Sequence, residues 1–212
     1  MKGKLKKIDK NKLPVYQITL DDSDETGIAL ISLVDSPAIE IKGMCFNENK
    51  LLQFKEIKDK QRIIGPALIP DMKILRDDDG TGIGPHYVVF TKDTIERMVE
   101  KFNAFGSNRK INIDHTNKMV DGFIMENWIV KDSTFDKSRF YGFDVPVGTY
   151  MIDVKIDDKN FWDNQVKGEG LYGFSIQGFM GQQLISMNKE EIKESDIDGL
   201  DLDDLLNIFD LN

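Results

Sequence analysis

Two side chains in this sequence have the types and settings that nucleophilic acyl transfer needs. Ser175 lies within Leu171-Tyr172-Gly173-Phe174-Ser175-Ile176-Gln177-Gly178-Phe179, a run with the period of two expected of a β-strand. Tyr172, Phe174, Ile176 and Gly178 would share one face, and Gly173, Ser175, Gln177 and Phe179 the other. Gly173 and Gly178 leave room for another backbone or a substrate to approach the hydroxyl. Sixty residues upstream, Lys110-Ile111-Asn112-Ile113-Asp114-His115 is a second strand-like stretch, ending on one of only two histidines. A neutral imidazole is a competent base near neutral pH, and a serine hydroxyl becomes a nucleophile once such a base takes its proton. Each residue alone has an ordinary reading, as a surface histidine or a strand serine. The pair is more informative than either part.

A third group should orient the imidazole and stabilise its cation. Glu126 comes first, on the stretch that returns from His115, followed by Asp144 and Asp153. Asp114 ranks low, because neighbouring residues of a strand point to opposite faces. His86 is the rival base. It follows Gly84-Pro85 at the start of a strand, where a turn histidine is the ordinary explanation.

Composition narrows the functional classes. The chain has 212 residues and a net charge of −9. Residues 1–12 carry +5 and residues 189–212 carry −7, which leaves −7 for the body. An acidic body without a basic stripe argues against nucleic-acid binding. No apolar run approaches the ~20 residues of a membrane span, and the lysines at the start precede no apolar segment of the kind a signal peptide has. Cys45, the single cysteine, excludes an internal disulfide framework and suits a cytosolic setting. Two histidines and one cysteine argue against a zinc site. The acidic run Asp21-Asp22-Ser23-Asp24-Glu25 lacks the ligand spacing of a calcium loop and reads as a solvated turn. The chemistry proposed for Ser175 requires no cofactor and no metal.

The elements that must position Ser175 and His115 are mostly strands. Strand-like runs occur at 15–20, 28–34, 39–46, 63–70, 87–90, 110–114, 123–130, 147–156 and 171–179. Pro66 and Pro70 confine their run to a sheet edge or a bulged strand. The 123–130 run reads as the antiparallel partner of 110–114. One helix is plain: Ile95, Met98, Val99 and Phe102 make an apolar stripe, capped by Thr91 and closed by Gly106. A short helix fits 159–166. The fold class is α+β, mainly β, most simply a small barrel with one clear flanking helix. The organisation is a basic leader at 1–14, a main domain at 15–188 with an exposed linker near 47–61, and an acidic amphipathic tail at 189–212.

Five stretches carry a family resemblance. They are Ile31-Ser32-Leu33-Val34-Asp35-Ser36-Pro37-Ala38, Ile64-Gly65-Pro66-Ala67-Leu68-Ile69-Pro70-Asp71, Ile111-Asn112-Ile113-Asp114-His115, Glu126-Asn127-Trp128-Ile129-Val130 and Gly173-Phe174-Ser175-Ile176-Gln177-Gly178. In this order they resemble the XkdF-like phage serine proteases of the prohead protease group. The resemblance implies a barrel like that of the herpesvirus assemblins, with Ser175 as nucleophile and His115 as base. Glu126 is carried over as the third member, because it lies in a matching stretch. The implied task is cleavage of scaffold and capsid-protein segments, then of the protease itself, inside the assembling prohead in the host cytoplasm. Capsid and scaffold proteins are then its partners, self-association is open, and no direct contact with nucleic acid or membrane is expected. The apolar residues of the tail, such as Leu205, Leu206 and Phe209, fit a helix that docks on scaffold or shell. Two rivals follow: a non-catalytic scaffold or minor capsid protein, and a metal-dependent hydrolase built on His86, His115 and the aspartates.

Overall fold

The computed structural model describes residues 13–23, 26–34, 55–57, 60–76, 82–166 and 173–186. Residues 1–12 of the expected leader, the strand at 39–46 and the acidic tail lie outside these residues. Within them the chain is mainly β. Eleven strands run in order: β1 Val15–Thr19, β2 Gly27–Val34, β3 Lys55–Ile57, β4 Arg62–Leu68, β5 Ile74–Arg76, β6 His86–Val89, β7 Ile111–Ile113, β8 Gly122–Ile129, β9 Tyr150–Ile156, β10 Gly173–Phe179 and β11 Gly181–Ser186. The helices are α1 Lys92–Ala104, α2 Lys137–Phe140 and α3 Lys159–Phe161, the last continued by a wider π turn over Trp162–Val166.

The strands form three sheets, ordered β11-β1-β6-β5, β10-β2-β7 and β3-β4-β9-β8. No closed barrel is found among the described residues. One apolar cluster unites the sheets: Ile18, Ile31, Leu33, Ile63, Leu68, Val88, Ile111, Ile152, Val154 and Phe174 bury against the Ile95, Met98 and Phe102 stripe of α1. That stripe is where the periodicity places it, and the Thr91 hydroxyl caps the helix by accepting from the Thr94 N–H at 3.1 Å. Past its end Gly106 takes φ +63°, the left-handed conformation that glycine adopts without a Cβ penalty.

Two local expectations change, and one that was left open is resolved. The 123–130 run does not pair with 110–114. It is β8, and it pairs antiparallel with β9. β7 instead pairs in parallel with β2, and its antiparallel return is the short 118–120 segment, joined by the Asn112–Met119 bridge. β4 is not an edge strand. Pro66 is accommodated by a bulge between Pro66 and Leu68 opposite β9, the second of the two places where a sheet tolerates proline. Part of the segment read as a linker, residues 55–57, is strand β3, paired with β4.

Asp21, Ser23 and Thr26 are joined by side-chain hydrogen bonds. The Asp21 carboxylate accepts from the Ser23 N–H at 2.9 Å and the Thr26 hydroxyl at 2.9 Å. The Lys101 ammonium donates to the carbonyls of Asp21, Ser23 and Thr26, so a side-chain cation from α1 holds this loop against β2.

Candidate active site

The sheet β10-β2-β7 carries the candidate site. β2 lies between an antiparallel neighbour, β10, and a parallel one, β7. Its second half is buried on both faces, so Ile31, Ser32, Leu33 and Val34 are all shielded from solvent. Register puts Ser175 of β10 opposite Ser32, and Ser32 beside Asn112 of β7. Side chains directly opposite in a sheet share a face, with Cβ atoms ~4.5–5.5 Å apart in an antiparallel pair. One polar row, Ser175–Ser32–Asn112, therefore crosses the sheet. The period-two reading of β10 holds here: Phe174 is fully buried in the core and Ser175 is partly exposed on the other face.

His115 is brought to this row by a tight turn. Asp114 has φ +45° and His115 φ +57°, and the Thr116 N–H donates to the Ile113 carbonyl at 2.8 Å. Two consecutive positive φ values across a four-residue turn are the pattern of a primed hairpin turn, and Asp and His are among the residues that tolerate that region. The turn is pinned to β2 by the Asp114 N–H, which donates to the Leu33 carbonyl at 2.9 Å. The imidazole is thereby folded back over β2, where Nδ1 lies 3.1 Å from Ser32 Oγ. Asp114 belongs to the turn rather than to the strand, and it is exposed.

A hydrogen-bond chain runs from there. Ser32 Oγ donates to Asn112 Oδ1 at 2.5 Å. Asn112 Nδ2 donates to the Thr116 carbonyl at 2.7 Å and to Gln177 Oε1 at 3.0 Å. Ser32 is 0% exposed and Asn112 3%. Beside the chain opens a groove of about 470 Å³, lined in part by Asn112, His115, Met119, Gln177, Gly178 and Phe179. Among the described residues no hydrogen bond joins Ser175 Oγ to the His115 ring. The two lie on one face with Ser32 next to both, and such bonds often tighten only when substrate is bound.

The remaining sequence candidates lie elsewhere. Glu126, on β8, is ion-paired with Lys137. Asp144 pairs with Arg139 at 2.7 Å. Asp153, on β9 and 0% exposed, is held by the guanidinium of Arg62. None of the three is hydrogen-bonded to His115 among the described residues. His86 begins β6 and is fully buried, with Nδ1 donating to the Gly84 carbonyl at 2.6 Å and the ring edge-on to Tyr16. It is a core histidine in a different sheet from Ser175.

Sequence reasoning passed over Ser32, Asn112 and Gln177. The available signal was modest: Ser32 is a hydroxyl within an otherwise apolar run, Gln177 lies two residues after Ser175, and Asn112 lies three before His115.

Residues 53–183 match the family described as "Putative phage serine protease XkdF". The chain belongs to that family. The match spans Asn112, His115, Glu126, Ser175 and Gln177, whereas Ser32 precedes it. Membership points to a serine protease, and so to a hydrolase. No curated protein and no solved structure matches the chain.

Proposed function

We propose that this protein is a serine endopeptidase of phage head assembly, with Ser175 as nucleophile and His115 as general base. The observation that carries the reading is the shared face: Ser175 stands opposite Ser32, and the His115 ring is seated on Ser32. Ser32 is an unsuitable nucleophile despite its contact with the imidazole. It is buried, and its proton is committed to Asn112. Ser175 has an accessible hydroxyl and no side-chain hydrogen bond to another described residue.

In the reaction His115 takes the Ser175 proton as Oγ bonds to the scissile carbonyl carbon. The imidazolium then returns that proton to the departing amine as the C–N bond breaks. Water, activated by the same imidazole, releases the acyl group from Ser175. Among the described residues β10 is the terminal strand of its sheet, so an extended peptide can add along it beside the nucleophile, with Met119 and Phe179 offering exposed apolar surface at the groove. The substrates in this reading are scaffold and capsid-protein segments within the prohead, together with the protease's own chain. The barrel closure that the family resemblance implies belongs to the same proposal.

Intact-mass spectrometry of the wild type and of Ser175→Ala, each alone and with its cognate capsid and scaffold proteins, tests this reading. Trimming of the wild type or its partners, with Ser175→Ala leaving every chain full-length, is the expected result. Identical masses for the two proteins under head-forming conditions would overturn the assignment of the nucleophile.

A further inference from the structure

We propose that Ser32 and Asn112 are positioning residues that fix the tautomer of His115, placing its proton on Nδ1 and leaving Nε2 as the base. The catalytic consequence rests on the serine protease reading above; the tautomer itself does not. The inference follows from counting protons along the chain of hydrogen bonds.

The Thr116 main-chain carbonyl can only accept. The Asn112 side-chain atom 2.7 Å from it must therefore be the amide nitrogen, which sets the orientation of the amide. Asn112 Oδ1 then faces Ser32 and can only accept, so the single Ser32 hydroxyl proton is spent on it at 2.5 Å. With that proton committed, Ser32 Oγ can offer His115 only a lone pair. At 3.1 Å from Nδ1, this lone pair requires that Nδ1 carry the proton. A neutral imidazole has one N–H, so Nε2 is unprotonated and able to take a proton from a nucleophile.

The second proton of Asn112 Nδ2 goes to Gln177 Oε1, on the same strand and face as Ser175. The device therefore ties together β2, β7, β10 and the turn that bears His115. It performs with neutral groups the orienting part of the task that a buried carboxylate performs in a charged triad. It also serves both protonation states, since Nδ1–H donates to Ser32 in imidazole and in imidazolium alike. Ser32 precedes the segment, residues 53–183, that matches the protease family.

The test is ¹⁵N NMR of the full chain carrying Ser175→Ala, which keeps self-cleavage from intervening. With only two histidines, a His115→Gln comparison assigns the signals. The expected result is a dominant Nδ1–H tautomer for the neutral His115 imidazole, shifting toward Nε2–H in Ser32→Ala and restored in Ser32→Thr. An Nε2–H tautomer in the parent overturns the proposal, and so does a Ser32→Ala spectrum with an unchanged tautomer. If Ser32→Ala fails to fold, the parent's tautomer alone decides. In the active background, on a peptide spanning the first mapped cleavage site, Ser32→Ala should lower kcat roughly tenfold with KM unchanged, the size expected for one orienting hydrogen bond. Failure of proteolysis with the expected tautomer would count against the function, and the reverse against the relay.

Discussion

Gly178 follows Ser175 by three residues on β10, at the point where the register with β2 shifts between Gln177 and Gly178. A Cβ placed there would lie 1.8 Å from the Gly27 carbonyl oxygen, 2.8 Å from its carbon and 3.2 Å from Ile28 Cα. All three are main-chain atoms, so no side chain can rotate away. Close carbon–oxygen contacts between strands settle near ~3.3 Å, so Gly178→Ala requires β10 and β2 to separate by about 1.5 Å at the bulge. Overpacking of this kind costs about 1–3 kcal/mol. With a urea m-value of about 2 kcal/mol/M, a cost of 2 kcal/mol lowers the unfolding midpoint by about 1 M. The displacement also moves Gln177 and Ser175 relative to Ser32 and His115, and a misplacement of about 1 Å at a reacting centre can cost ~10²-fold in rate. Urea unfolding followed by fluorescence, with cleavage of a mapped peptide by the still-folded variant, measures both effects. A midpoint within 0.2 M of wild type (about 0.4 kcal/mol at that m-value), together with undiminished cleavage, would refute the claim that the strand approach at the bulge sets the geometry of the site.

Two further outcomes follow from polar groups away from the groove. Arg62 Nε donates to Asp153 Oδ1 at 2.9 Å and its Nη2 to Oδ2, with the carboxylate 0% exposed. Arg62→Met should destabilise by about 3–5 kcal/mol by leaving that charge unpaired, while the double variant Arg62→Met/Asp153→Leu should recover most of the loss in the same urea assay; a single variant as stable as wild type would show that the carboxylate finds another partner. Burial alone would raise the Asp136 carboxyl, but hydrogen bonds from the Ser138 N–H, the Trp128 indole and the Lys131 N–H outweigh it and hold the group below its ordinary range. The stability it contributes is present above the unfolded-state value near ~4 and is lost as pH falls through the lower folded value. Asp136→Asn should thus be less stable than wild type by about 1 kcal/mol at pH 7, with the gap closing in acid; a gap independent of pH would contradict the assignment.

The parts of this fold legible in the sequence are those set by local patterning. The α1 stripe, the Thr91 cap and the alternation along β10 are decided by residues close in the chain, and each is found where the pattern puts it. Pairing across sheets was not legible. The 123–130 run had the composition of a partner for 110–114, but a one-turn return at 118–120 takes that edge of β7 and β2 takes the other. Nothing in the local alternation distinguishes β9 from β7 as the partner of β8. A bulge is legible only as a permission: Pro66 says that one is needed, and the sheet shows where it falls.

The same division explains the site. Ser175 and His115 could be singled out as candidates because a nucleophile and a base are recognisable as residue types. The residue that orients the base is not confined to one type. A carboxylate is the familiar solution, which points to Glu126, Asp144 and Asp153, but the fold engages these with Lys137, Arg139 and Arg62. A serine and an asparagine can do the orienting when their own protons are committed elsewhere, and that commitment is a fact of three dimensions. It depends on the Thr116 carbonyl turning back toward Asn112, which in turn depends on positive φ at Asp114 and His115. The turn that presents the base is thus also the source of the acceptor that orders the chain behind it. A carboxylate substituted at Ser32 would sit at a position fully removed from solvent, where its polar neighbours among the described residues are the Asn112 amide and the His115 ring, and burying that charge would cost several kcal/mol. The proposed neutral relay avoids that cost.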